Sequence, residues 1–316
     1  MKRLIVAAAV LLLGLTPARA AEISRIVVGF PPGQATDIVA RLIAERIGPI
    51  LGETFIVENR PGQGGSIALA QLAKMQADGR TLVLAPLASL VANPHLYKSV
   101  GYDTLKDFAP VTLVGDLPML FVVSPSLPVK NVAEFIAYAK ANPGKINYSS
   151  SGSGTLSHLG MEDFKRRAGI SLTHVPYRGS PPAMTDLVAG VVDAGIDTVT
   201  VTQPFIQAGS LRAIASAYSQ RIPTLPDLPT LAEQGFPGFG IAAWIGFVAP
   251  DGTPKERIDA LNAAVGKVVQ TEEVAEKFGT LGVIQHLMGA AEFGEFIKAE
   301  NARWSAVVKA TGVRVD

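Results

Sequence analysis

The sequence predicts an α/β protein of two lobes, each a doubly wound sheet flanked by helices. Three observations lead there. Short apolar segments alternate with amphipathic segments of about three turns from Ser24 onward, glycine-rich turns sit where a strand gives way to a helix, and the alternation starts afresh after Val132.

Taken in order, IVVGF (26–30) reads as a buried strand, PPGQ (31–34) as a turn, and TDIVARLIAERIGPILG (36–52) as a helix with Ile38, Leu42, Ile43 and Ile47 on one face. Thr36 or Asp37 is its expected N-cap and Gly52 its stop. TFIVEN (54–59) is strand-like, RPGQGG (60–65) a glycine-rich loop and SIALAQLAKMQ (66–76) a helix. TLVLAP (81–86) is the next strand, and it ends in a loop holding Leu87, Ala88 and Ser89. APVTLVGD and MLFVVSP give two more apolar strands in succession. A helix follows from Val132 to Ala141, and then a second α/β round: KINYSSSGSGT, LSHLGMEDFKRRAG, LTHVPY, a helix from Pro182 to Gly190, VDAGID and LRAIAS. A Pro-rich stretch (221–240) leads into the strand WIGFVAP, and two amphipathic helices close the chain near Lys255–Gln270 and Ala291–Ala310. With the chain crossing near Leu120 and returning near 225–245, one lobe is expected to comprise residues 21–121 with 226–316, and the other 122–225.

The start of the chain calls for separate treatment. Lys2 and Arg3 precede an apolar run from Leu4 to Leu15, then Pro17 and Ala18-Arg19-Ala20: the layout of a signal peptide for export, with cleavage expected after Ala20. The run is too short to span a bilayer of roughly 30 Å as a helix. Of the 316 residues 48% are hydrophobic and 17% charged, which gives ample core material and no disordered tail. A net charge of +1 provides no broad field for nucleic acid, so any recognition of an anion has to be local. Zero cysteines exclude a disulfide scaffold, thiol catalysis and Cys-based metal sites, and the four histidines show no HExxH spacing; no metal or cofactor is expected.

Three glycine-rich loops stand between a strand and a helix: 30–37, 59–66 and 149–158. Such a loop aims free backbone N–H groups and the positive end of a helix at one spot, an anion site that needs no charged side chain. Gly152 and Gly154 match two glycines of the dinucleotide fingerprint, but Ser157 stands at the third, and no GxxxxGK[ST] is present, so a nucleotide is a poor candidate ligand. A hydrolase or isomerase would draw on Ser157 or His158; there is no GxSxG elbow, and adjacent side chains on a helix diverge. His158 is better read as ordering the glycine loop. Arg178, in Tyr177-Arg178-Gly179, is placed either to clamp a carboxylate or to lie on the surface over a core Tyr177. Asp37 reads as a helix cap, and Asp197 as an acceptor for a neighbouring loop or hinge.

Together FPPGQATDIVARLIA, VENRPGQGGSIA, NPHLY, SSSGSGTLSHLGMEDF, VPYRGSPPAMTDLVAG, IQAGSLRAIA, PTLAEQGFPGF and WIGFVAPDGTP resemble, in order and across nearly the whole mature chain, the tripartite tricarboxylate transporter solute receptors, or Bug family. The resemblance implies a periplasmic binding protein of Venus-flytrap, type II-like architecture. It would close on a small carboxylate, aliphatic dicarboxylate or aromatic, and deliver it to a symporter of one large and one small integral subunit; a sensor kinase is the other partner to consider. It further implies that Phe30, Pro32, Gly33, Gln34, Ala35, Thr36 and Asp37 form the first-lobe ligand loop. Ser151, Gly152, Ser153, Gly154 and Thr155, with His158 behind them, would form the second-lobe loop, and Tyr177, Arg178 and Gly179 its neighbour. Leu87 and Ser89 would tune selectivity, with Asp197 at the strand end. Where the family commonly reads PPGG this chain has Gln34, which brings a polar side chain to the pocket floor.

Overall fold

The computed structural model describes residues 23–311 and 314–315; the expected leader, residues 1 to 20, lies outside them. Strands β1 (Ile23–Val28), β2 (Thr54–Asn59) and β3 (Thr81–Pro86) run parallel, and helices α1 (Ala35–Leu51) and α2 (Ser66–Leu72) make the crossovers. Covered on both sides, β1 buries Ile26, Val27 and Val28 in succession, the signature of a parallel strand. On α1, Val39, Leu42, Ile43 and Ile47 meet the core, and Gly52 closes the helix at φ 68°, where a side chain would be strained. The N-cap is Gln34, ahead of the expected Thr36 or Asp37. Gly33 at φ 82° turns the chain early enough for the helix to begin at Ala35, and Asp37 reaches back to bond the Gly33 N–H.

After β3 come a π turn (Ala88–Ala92), the short helix α3 (Asn93–Leu96) and the 16-residue strand β4 (Phe108–Val123). The two strands expected here are one. Nothing between Asp116 and Met119 supplies the left-handed Gly or Asn of a tight reversal, and β4 instead bends through two register shifts. Its first part pairs with β9 (Ala242–Pro250) up to Pro118, and its last part with β7 (Ala194–Thr198) and β8 (Arg212–Ser216) from Met119 onward. Thus β4 carries the chain from one lobe into the other, and the return passes Ala217, whose N–H donates to Met119 O, on the way to β9.

The second lobe sets β5 (Asn147–Ser150), β6 (Thr173–Pro176) and β7 parallel, with α4 (Val132–Ala141), α5 (Leu156–Ala168), α6 (Ser180–Val188) and α7 (Val199–Gln207) around them. Phe121 of β4 packs edge-on against both Phe135 and Phe164, at 4.9 Å, which seats α4 and α5 on the sheet. The sheet order is β2-β1-β3-β9-β4-β7-β5-β6; β4 pairs antiparallel with β9, with β7 and with β10 (Ile284–Met288), so the sheet is mixed where parallel pairing was expected. Helices α8 (Lys255–Val269) and α10 (Ala290–Thr311) stand where two terminal helices were expected. Between them lie α9 (Glu272–Leu281) and β10, which were not foreseen, and neither was α7. The β-branched VTVT and Pro204 of α7 argue locally against a helix. Among the described residues no helix is long and apolar enough to cross a membrane.

Candidate functional site

The first-lobe loop follows β1. A Cβ at Gly29 would lie 2.7 Å from Gly65 Cα, so this loop and the glycine loop after β2 touch backbone to backbone. Asp37, 2% exposed, accepts from Gly33 N (2.9 Å), Arg41 Nε (3.0 Å) and Asn59 Nδ2 (2.8 Å). Burial works to raise this carboxyl, but the hydrogen bonds from Arg41, Gly33 and Asn59 prevail and hold it below its ordinary value. Asn59 Nδ2 also donates to Phe30 O at 2.9 Å. Asp37 therefore fixes the loop and stays ionised, outside the walls of the cavities described below.

The second-lobe loop follows β5 and is ordered by hydroxyls. Ser157 Oγ accepts from Ser151 N (2.9 Å) and lies 2.9 Å from both Ser151 Oγ and Thr155 Oγ1, while Thr155 Oγ1 donates to Gly152 O (2.6 Å). His158 Nδ1 accepts from Gly154 N at 3.3 Å, and its ring stacks on His174 at 4.1 Å. Ser150 Oγ lies 2.6 Å from His174 Nε2. Burial, helped by the neighbouring His158, pushes His174 down to about 4, and burial also lowers His158. Both rings are thus neutral near pH 7, the form in which Nδ1 of His158 can accept. Ser157 and His158 each serve the loop in this way and are not bonded to one another.

The two lobes meet across the cleft. Gln34 Oε1 accepts from Ser180 N at 3.2 Å, Tyr97 Oη donates to Ser153 O at 2.6 Å, and a Cβ on Gly179 would fall 2.3 Å from Pro31 Cγ. Between them lie two adjoining cavities that share Phe30 and Ser151 in their walls. The outer, about 430 Å³, is bounded by the glycine loop Pro61–Gly65 and by Tyr97, Ser151–Ser153 and Tyr177–Gly179. The inner, about 40 Å³, has room for one small polar group. Ala35 and Thr36 from the first turn of α1, and Leu156 and Ser157 from that of α5, line it from opposite lobes. First-turn N–H groups have no acceptor within their own helix, so two positive helix ends converge on one small space.

Asp197, at the end of β7, belongs to the same inner wall. It accepts from Ser180 Oγ and from Thr198 N, each at 2.7 Å, and burial pushes its carboxyl up to about 6.

The structure distributes the remaining expected residues unevenly. Gln34, Ala35, Thr36 and Thr155 face the inner cavity; Ser153 and Gly152 face the outer one. Arg178 stands exposed on the outer wall and, among the described residues, has no hydrogen bond or ion pair. Tyr177 lines the outer cavity and donates its hydroxyl to Asp186 at 2.6 Å. Pro32 and Gly33 are exposed outside both walls. Leu87 and Ser89 are buried beneath the wall, Ser89 Oγ donating to Pro86 O, and the wall positions belong to Pro86 and Ala88. In the helical turn after β3 the side chains no longer alternate as in a strand, and the face that carries Ala88 meets the wall while Leu87 and Ser89 turn into the core. Sequence reasoning missed Tyr97, Met119 and Thr198 as cavity-lining residues. No group of three or more metal-ligating side chains occurs among the described residues.

Comparison with known proteins agrees over nearly the full length. Residues 39–313 match the family described as the tripartite tricarboxylate transporter family receptor. Protein BugT of Bordetella pertussis is 37% identical over 292 residues, covering 92% of this chain and 90% of that protein. Rpa4515 of R. palustris, solved with adipate, superposes with a TM-score of 0.89 at 36% identity, covering 93% of this chain and 98% of that one. MatC of Rhodopseudomonas palustris, solved with bound malate, gives 0.85 at 32% identity, over 91% and 99%.

Proposed function

The chain belongs to the tripartite tricarboxylate transporter receptors of the Bug family, and from that premise we propose that it captures a small aliphatic dicarboxylate between its lobes without changing it chemically. As a member of that family it is a periplasmic solute receptor. The observation that carries the proposal is the convergence of two helix N-termini from opposite lobes on the 40 Å³ cavity, which adjoins a larger one beside Arg178, unpaired among the described residues. One carboxylate seats in the inner space on backbone N–H groups and hydroxyls. The rest of the ligand occupies the outer cavity, where Arg178 reaches its second carboxylate. Two related proteins solved with adipate and with malate support this ligand class.

In the mechanism that follows, each loop is pre-ordered by its own lobe, and the ligand supplies the differential contact that favours closure. The closed pair of lobes is then the form presented to the two integral subunits of a symporter, after export with cleavage following Ala20. A thermal-shift screen of aliphatic mono-, di- and tricarboxylates with benzoates and phthalates tests the proposal. At one hundred times its dissociation constant a ligand stabilises by about 2.7 kcal/mol, an unmistakable rise in Tm. Stabilisation by aliphatic dicarboxylates, with compaction in small-angle scattering, is the expected outcome; a blank across all classes would remove the proposal.

A further inference from the structure

The inner cavity that receives the carboxylate already holds one. Asp197 is 4% exposed and lies in the same wall as Ala35, Thr36, Leu156 and Ser157. Its two oxygens accept from Ser180 Oγ and Thr198 N, both neutral donors, and among the described residues no cation pairs with it. The charged groups on the elements around β7 are occupied elsewhere. On α6, Asp186 accepts from Tyr177; on α5, Glu162 is bonded by Lys165 and Tyr148, Asp163 pairs with Arg166 and Arg167, and His158 stacks on His174; on β4, Asp116 accepts from Tyr218. Across the cleft on α1, Asp37 is paired with Arg41. β5 and α7 carry no charged residue.

Asp197 stands in the wall of this small cavity, so a ligand carboxylate seated there shares the site with it. Two carboxylates sharing a site out of water cannot both stay ionised. We propose that capture of the ligand is coupled to uptake of one proton, shared between Asp197 and the inner carboxylate of the ligand. The proton comes from solvent as the lobes close. The helix N-termini then face one net negative charge instead of two, and the shared proton becomes a hydrogen bond between the two carboxyl groups. Burial has already raised Asp197 to about 6 in the closed form, which puts it within reach of protonation at neutral pH. Gln34 extends the arrangement: its Oε1 accepts from the N–H of the same Ser180 whose hydroxyl donates to Asp197, so closing the lobes and arranging the acid are one event.

This inference rests on the proposed carboxylate capture, and the experiment separates the two. Calorimetric titration of the purified protein with adipate and with malate at pH 7, in buffers of low and high ionisation enthalpy, counts the protons exchanged. Uptake close to one proton per ligand is expected, with Kd rising up to tenfold per pH unit above neutrality. Asp197→Asn should bind with no net uptake and a flat pH profile, and in the wild-type protein a carboxylic-acid carbonyl band should appear in the infrared difference spectrum on binding, a readout that does not depend on the variant folding. Binding without proton exchange would overturn the inference alone. So would malate binding without uptake while adipate fails to bind, because Asp197 would then be accepting from the ligand hydroxyl. No binding in either buffer would overturn it together with the reading it rests on.

Discussion

Tyr97→Phe isolates the cost of opening the cleft. Tyr97 sits in the first lobe, half-buried, and its hydroxyl donates to Ser153 O in the second lobe at 2.6 Å, while its ring lies against Gly154. In an open form both the hydroxyl and the carbonyl turn to water, so the bond contributes only to closure. A neutral hydrogen bond of this kind nets about 1 kcal/mol, and phenylalanine keeps the ring contact, so the closed form should lose roughly that amount against the open form. About 1 kcal/mol lowers the closed-to-open ratio roughly fivefold. Because apparent affinity scales with the population competent to close, Kd should rise by the same factor, with the ligand-free melting temperature unchanged. Calorimetry for Kd and small-angle scattering at half-saturating ligand give the two readings. A Kd within twofold of wild type, with equal compaction, would refute the idea that this bond helps hold the lobes together.

Three further outcomes follow from the same geometry. Gln34→Ala removes the acceptor for Ser180 N and should weaken ligand binding about fivefold in calorimetry, since one interlobe bond worth about 1 kcal/mol is lost. Arg178→Ala should weaken dicarboxylate binding by about 1.5 to 3 kcal/mol yet leave Tm unchanged, because the side chain is exposed and makes no bond among the described residues; equal affinity would show that the Arg never meets the ligand. The stacked imidazoles set a pH response of known sign. With His174 held at about 4 in the folded chain, against about 6.5 unfolded, the folded state binds fewer protons in that interval, so its contribution is complete above about pH 7 and is lost as pH falls toward 4. Asp197 acts in the opposite sense, gaining as pH falls below about 6. Comparison with His174→Gln removes the common part: the Tm advantage of wild type over that variant should shrink between pH 7 and 4.5, and a constant gap would contradict the assignment.

What was legible in the sequence divides by distance along the chain. The α/β alternation, the glycine loops and the helix faces rest on periodicities and turns that a few residues define, and the bonds that order each loop are equally local. Asp37 reaches Gly33 over four residues, His158 reaches Gly154 over four, and Ser157 reaches Ser151 over six. Departures within that range come from backbone geometry that residue type does not encode. The turn after β3 places Pro86 and Ala88 at the wall in place of Leu87 and Ser89, and β4 continues unbroken, though bent, through a segment where two strands were expected. The contacts that join the lobes belong to another class: Tyr97 meets Ser153 over 56 residues and Gln34 meets Ser180 over 146, and no local pattern announces either. This separation has a functional consequence. Because each loop is ordered by its own lobe, a change at Tyr97 leaves both loops intact and acts on closure, whereas Gln34 also lines the inner cavity and holds the Ser180 that bonds Asp197. Affinity can therefore be adjusted at the lobe contacts, while the two helix ends and Asp197 continue to decide that the occupant is an acid.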